Sequence, residues 1–193
     1  MSKNKIFLLE DENFLSNKHK KTIKKLIEKS ELPFYMGPAF GKKINYPYLC
    51  HTILRRPEDI TETNSVYSSK YAMETNFNSK YTDIFLEFLF AFCDKHKIKI
   101  NKVFRVAVNL TFNIGIERCP THRDHDFDHK QFILYLNKPL DENTPTLVFD
   151  MEEKTLLKQI YPKQFKGACF DGLPHTFTYP SKGLRWALIT TFT

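Results

Sequence analysis

Val103-Phe104-Arg105-Val106-Ala107-Val108-Asn109-Leu110-Thr111-Phe112 alternates strictly. Phe104, Val106, Val108, Leu110 and Phe112 take one side, and Arg105, Ala107, Asn109 and Thr111 the other. A period of two is that of a strand, so the run predicts a half-buried strand whose second face is polar. Shorter β-rich runs follow at 131–136, 146–150, 166–170, 175–179 and 184–192. Turn formers separate them, among them Pro139-Leu140-Asp141-Glu142-Asn143 and Pro180-Ser181-Lys182-Gly183. Short strands broken in this way predict an antiparallel sandwich or jelly roll.

Upstream the period is helical. Ser16 can cap a helix over 17–30, whose stripe of Ile23, Leu26 and Ile27 seeks a core and whose other face carries Lys18, Lys20, Lys21, Lys24, Lys25 and Lys29. Pro33 closes it. At 81–96, Ile84, Phe85, Phe88, Leu89 and Phe92 have helical spacing, and Leu86 with Phe90 adds a second apolar face, so this helix is expected to be nearly buried. Residues 31–80 mix prolines, glycines and aromatics with no clean period and read as an irregular cover over a site. Helices followed by strands make an α+β chain. We read it as one domain over 1–193, with a helical, lid-like part at 1–100 and a β core at 101–193.

Composition narrows the function classes. With 193 residues, 41% hydrophobic and 26% charged, the chain is neither disordered nor collagenous. No run approaches the ~20 apolar residues of a membrane helix, and Ile6 to Leu9 is too short for a secretory core, so a cytoplasmic protein without membrane contact is expected. Cys50, Cys93, Cys119 and Cys169 form no C-x-x-C pair, which argues against a zinc ribbon or redox pair and predicts free thiols. The net charge of +7 admits nucleic acid as a partner, but the densest basic run sits on the solvent face of an amphipathic helix.

The chemistry concentrates in Thr121-His122-Arg123-Asp124-His125-Asp126-Phe127-Asp128-His129. In an extended segment His122 and Asp124 share a face and can bind one metal. His175 follows 53 residues after His122, and Arg185 ten further on. Two histidines and a carboxylate can occupy one face of an octahedral Fe(II), leaving the other positions to a bidentate oxo-acid and O₂. The planar fork of an arginine suits the oxo-acid's far carboxylate. For His175 and Arg185 to reach one interior, the connection between them must hold an odd number of unpaired residues or a bulge. His125 and His129 are expected to lie behind the ligands.

The order H-x-D, distal His, then Arg ten residues on resembles the 2-oxoglutarate and Fe(II)-dependent dioxygenases. It is most similar to their prolyl-hydroxylase-like branch and to small oxygenases encoded by marine bacteriophages. Leu32-Pro33-Phe34-Tyr35, the strand around Asn109, the segment His129 to Asn137 and the stretch Phe170 to Phe192 extend the likeness over nearly the whole chain. The resemblance implies a double-stranded β-helix, a cupin-like jelly roll with N-terminal helices packed on one sheet. It implies His122, Asp124 and His175 as iron ligands, Arg185 as the 2-oxoglutarate clamp, and Tyr135 and Asn109 as further cosubstrate contacts. The implied reaction hydroxylates an unactivated C–H bond, with 2-oxoglutarate and O₂ as cosubstrates and succinate as product. A peptidyl, prolyl-type side chain is the favoured substrate, ahead of a nucleobase or a small metabolite. A phage-encoded protein would work in the host cytoplasm.

Two departures stand out. Relatives often place a serine two residues after the clamp, where this chain has Arg185-Trp186-Ala187, so Tyr135 or a threonine must supply that hydroxyl. A Gly-Asp-Thr turn is replaced by Asn143-Thr144-Pro145-Thr146. Two rivals remain: a zinc hydrolase using His122, His125 and His129 on a helix face, and a non-enzymatic β-sandwich module binding nucleic acid with a vestigial metal site.

Overall fold

The computed structural model describes residues 6–29, 32–39, 46–56 and 79–193. Among them the strands are β1 (Leu8–Asp11), β2 (Tyr35–Ala39), β3 (Tyr46–Leu54), β4 (Val103–Phe112), β5 (Lys130–Tyr135), β6 (Thr146–Phe149), β7 (Leu156–Ile160), β8 (Gly167–Asp171), β9 (His175–Phe177) and β10 (Leu184–Phe192). The helices are α1 (Asn17–Glu28) and α2 (Thr82–His96). One antiparallel sheet has the order β1-β8-β5-β10-β4-β3-β2, and a second has the order β7-β6-β9. This is the jelly-roll, double-stranded β-helix architecture expected.

The alternation in β4 is what seats it. Val106, Val108 and Leu110 join Ile23, Leu26, Phe85, Phe88, Leu89 and Phe92 in a core between the large sheet and the two helices. At the large sheet's other face, Ile133, Ala187 and Ile189 meet Val148 and Ile160 of the small sheet. Both faces of the large sheet are therefore covered. The polar face of β4 points to this inner space and not to solvent, since Arg105, Ala107 and Thr111 are buried. Gly167 has no side chain where Phe14 and Phe92 close on β8; a Cβ there would stand 2.7 Å from the Phe14 ring.

Ser16 caps α1 by accepting from the His19 N–H at 3.2 Å. The helix ends at Glu28, well short of Pro33. The lysines at 18, 21, 24, 25 and 29 are exposed, a solvated face. α2 is less buried than its composition predicts, because Phe90 is 43% exposed and the covered stripe is that of Thr82, Phe85, Phe88, Leu89, Phe92 and Cys93. All four thiols are free, and burial pushes Cys93 up to about 12 and Cys169 upward too.

Two expectations are corrected. The first hundred residues are not helical and irregular throughout: β1, β2 and β3 extend the large sheet. β3 escapes a period-of-two reading for physical reasons. A register shift lies between Thr52 and Leu54, and both of its faces mix polar with apolar residues. Pro38 and Pro47 face each other across β2 and β3, at the sheet's edge and beyond the part of β3 that pairs with β4, where a missing N–H breaks no inner ladder. Most of the expected cover, 40–45 and 57–78, lies outside the described residues. The connection from His175 to Arg185 is also not a hairpin. β9 pairs with β6 and β10 with β4 and β5, so the chain crosses between sheets and the parity condition does not arise.

Candidate active site

Between the sheets lies a cavity of about 340 Å³, lined by residues that include Arg105, Asn109, His122, Asp124, Gln131, Thr146, His175 and Arg185. His122 and His175 are drawn together by an isolated β-bridge, each backbone N–H donating to the other's carbonyl at 2.9 Å. Their ring centroids are 4.6 Å apart. His122 Nδ1 donates to Pro120 O at 3.0 Å and His175 Nδ1 to Leu173 O at 2.9 Å. A proton fixed on Nδ1 leaves the Nε2 lone pair for a metal, the arrangement in which a backbone carbonyl orients a ligating imidazole. The Gln131 amide, 3.4 Å from His175 Nε2, approaches that lone pair.

Asp124 completes the set. Its side chain is 1% exposed, with Oδ2 lying 4.0 Å from His175 Nε2. Oδ1 accepts from Arg105 Nη1 at 2.9 Å and from Arg56. Oδ2 is buried without a hydrogen-bond partner, a state that costs free energy unless a cation or donor fills it. As they stand, no three His, Cys, Asp or Glu side chains among the described residues are closed into a cage around a cation. The donor set nonetheless fits a divalent transition metal: two oriented imidazole nitrogens and an orphaned carboxylate oxygen on one wall of a cavity.

Burial disfavours charge on these groups. It holds His122 down at about 3, assisted by His175, and depresses His175 as well. Burial opposes ionisation of Asp124 too, but Arg105 and Arg56 outweigh it and keep the carboxyl well below the usual range. The sign for stability follows. Below about 6.5 the unfolded histidines take up protons that the folded ones refuse, so the metal-free protein should lose stability as pH falls. Each such histidine contributes up to about 1.4 kcal/mol per pH unit. Urea midpoints should drop between pH 7.5 and pH 5, and His122→Gln should narrow the drop; a midpoint unchanged across that interval would count against neutral buried imidazoles.

At another wall stands Arg185, 5% exposed. Its guanidinium lies between the rings of Tyr135 and Phe177, at 5.2 and 5.0 Å from their centroids. Nη2 donates to Thr146 Oγ1 at 2.7 Å, while Nε is buried with no partner. Among the described residues no acid pairs with it. A buried, uncompensated cation facing a cavity calls for an external carboxylate.

The structure gathers His122, Asp124, His175, Arg185 and Asn109 on this one cavity. Asn109 Oδ1 is buried and unpartnered. Tyr135 stands behind Arg185 and not among the lining residues: its hydroxyl donates to Ile160 O at 3.1 Å and meets Thr146 Oγ1 at 3.0 Å. The hydroxyl beside the Arg185 guanidinium is thus that of Thr146, the first residue of β6, with Tyr135 supporting it. His125 and His129 are buried but off the cavity; His125 Nε2 bonds Thr191 Oγ1 at 2.7 Å. Residues 113–129 contain no helix, which removes the helix-face zinc arrangement. Sequence reasoning did not single out Gln131 or Arg56. Gln131 carried a signal, as a polar residue on the inward period of a predicted strand; Arg56 carried none.

No protein-family model and no curated protein matches the chain. Solved structures do. An oxidoreductase of the 2OG-Fe(II) oxygenase family from Burkholderia pseudomallei superposes with a TM-score of 0.69 at 12% identity, covering 97% of this chain and 84% of that one. A prolyl hydroxylase from Trichoplax adhaerens, in complex with a hypoxia inducible factor oxygen degradation domain peptide fragment, gives 0.59 at 15%, covering 96% and 82%. A prolyl-4-hydroxylase from Pseudomonas putida gives 0.53 at 14%, covering 96% and 91%. At these identities the likeness is one of fold.

Proposed function

We propose that this chain is a 2-oxoglutarate- and Fe(II)-dependent dioxygenase that hydroxylates an unactivated C–H bond. One observation carries the reading. Two histidines with oriented Nε2 atoms and an orphaned Asp124 oxygen share a cavity with a buried guanidinium that has no acid partner among the described residues. His122, Asp124 and His175 would hold the iron. Bound there, iron would supply the O₂ chemistry that converts 2-oxoglutarate to succinate and CO₂ and places a hydroxyl on the substrate.

The rest is the protein's work. Arg185 would take the far carboxylate with its fork, held in plane by Tyr135 and Phe177 and in direction by Thr146. Asn109 offers an amide from the neighbouring strand β4, opposite Ala187. Ile133, Ala187, Ile189 and Phe177 line the space with apolar surface that limits water around the reacting groups. The substrate we favour is a peptidyl side chain, because the fold neighbours include prolyl hydroxylases, one of them solved with a peptide. The vestigial-site alternative is disfavoured by a donor set in which each ligand residue is still oriented. The same reading takes 1–193 as one catalytic domain.

Anaerobic addition of Fe(II) and then 2-oxoglutarate tests this directly. The visible charge-transfer band of the chelate should appear with wild type and be absent with His122→Ala. Properly folded wild type that gives no band would end the oxygenase reading.

A further inference from the structure

Arg56 and Arg105, which hold the Asp124 carboxylate, both line the cavity themselves. They converge on one oxygen, Asp124 Oδ1, leaving the other to the metal site. Arg105 is buried, and the Arg56 side chain is 27% exposed at the rim. In the β4–β10 register Arg185 faces Thr111, whereas Arg105 faces Thr191. Six residues of β4 separate those positions, so Arg105 and Arg185 enter the cavity toward opposite ends of the strand pair.

Asp124 does not serve two arginines and a dication equally. A metal ion on Oδ2 carries twice the carboxylate's charge and sits across the same carboxyl group, so it repels both guanidinium groups while drawing on the charge that attracts them. Whatever other contacts the arginines keep, this one weakens when the site is loaded. Guanidinium forks in a low-dielectric cavity are best satisfied by a pair of anionic oxygens. We propose that Arg56 and Arg105 bind an anionic group of the substrate, a carboxylate or phosphate, at the end of the cavity opposite Arg185. The proposal rests on the oxygenase reading and deepens it: the oxidised C–H bond belongs to a substrate with an acidic group close by. Arg56 meets the anion at the rim, and Arg105 holds it from below.

The test uses the full chain loaded with Mn(II) and saturating 2-oxoglutarate, so that Arg185 is already occupied. Calorimetric titration with inorganic phosphate, with acetate, and with the peptides N-acetyl-Asp-Pro-amide and N-acetyl-Asn-Pro-amide compares wild type with Arg56→Gln and Arg105→Gln. Loaded wild type should bind phosphate or acetate, and Arg56→Gln should weaken that binding by at least about 10-fold. Arg56 is partly exposed, so this variant is the one expected to fold without difficulty. Preference for the Asp over the Asn peptide would identify an acidic side chain as the source, and equal peptide affinity with retained phosphate binding a free acid. Mn(II) binding by Arg56→Gln should be unchanged or tighter, whereas a residue that only props Asp124 would weaken it on removal. Anion binding identical in wild type and Arg56→Gln, absent from the loaded form, or competitive with 2-oxoglutarate overturns the proposal. Wild type that fails to bind 2-oxoglutarate in the presence of Mn(II) is detected before any anion is added, and overturns the parent reading with it.

Discussion

Arg185→Met should bind 2-oxoglutarate about two to three orders of magnitude more weakly than wild type, with no fall in the protein's unfolding midpoint. The first half follows from what the guanidinium lacks: it is buried, its Nε has no partner, and its one described polar contact is the neutral hydroxyl of Thr146. A desolvated charge pair lost on one side typically costs about 2–5 kcal/mol of binding, a span that brackets that loss of affinity. The second half is what separates a binding residue from a structural one. Methionine fills similar space between Tyr135 and Phe177 and removes an uncompensated buried charge, so the fold has little to lose. Arg185→Lys should fall between the two, since it keeps the charge but not the fork. Calorimetry on the Mn(II)-loaded protein and urea denaturation of the same samples check both. Unaltered 2-oxoglutarate affinity in Arg185→Met would remove the clamp from the reading, and a large loss of stability would make Arg185 a structural residue instead.

The inward placement of Arg185 was legible in the sequence because β10 is regular. Arg185, Ala187, Ile189 and Thr191 share a face with period two, and nothing acidic adjoins the arginine. β4 was legible for the same reason, to the residue. β3 was not, because it is covered on both sides, shifts register near Leu54 and carries a proline beyond its inner pairing, so no hydrophobic period survives. Its cavity face, with Tyr48, Cys50 and Thr52, was therefore missed along with Arg56. β7 was missed because four of its five residues are at least partly exposed and its aliphatic residues do not alternate with its polar ones. The site shows the same division. H-x-D, the distal histidine and the arginine are local patterns or fixed spacings, whereas the meeting of Arg56 and Arg105 on Asp124 spans separations of 68 and 19 residues. Contacts of that kind are set by sheet order, which no local period encodes.

Asp124→Asn should show the largest loss of all, because it strikes the metal site and the fold together. The asparagine keeps the shape of the side chain but not its charge. If its Nδ2 takes the place of Oδ1, it confronts the Arg56 and Arg105 donors; if it takes the place of Oδ2, it turns N–H groups toward the two histidines. Mn(II) affinity is expected to fall beyond detection in either orientation. Removing one partner of a buried ion pair typically costs about 3–5 kcal/mol, and here the metal-free protein should lose that much at pH 7.5. His122→Ala, by contrast, should lose metal with a smaller stability cost, since the imidazole it removes is neutral and leaves no buried charge unpaired. The pH dependence tests the origin of the loss. The Asp124 carboxyl is held below the usual carboxylate range by Arg105 and Arg56, so its contribution is fully present above the unfolded value and fades as pH falls through the folded one. The gap between wild type and Asp124→Asn should therefore stay wide near neutrality and begin to close only below about pH 4. A variant as stable as wild type at pH 7.5 would mean that the two arginines are held in place without the carboxylate, and that Asp124 serves the metal alone.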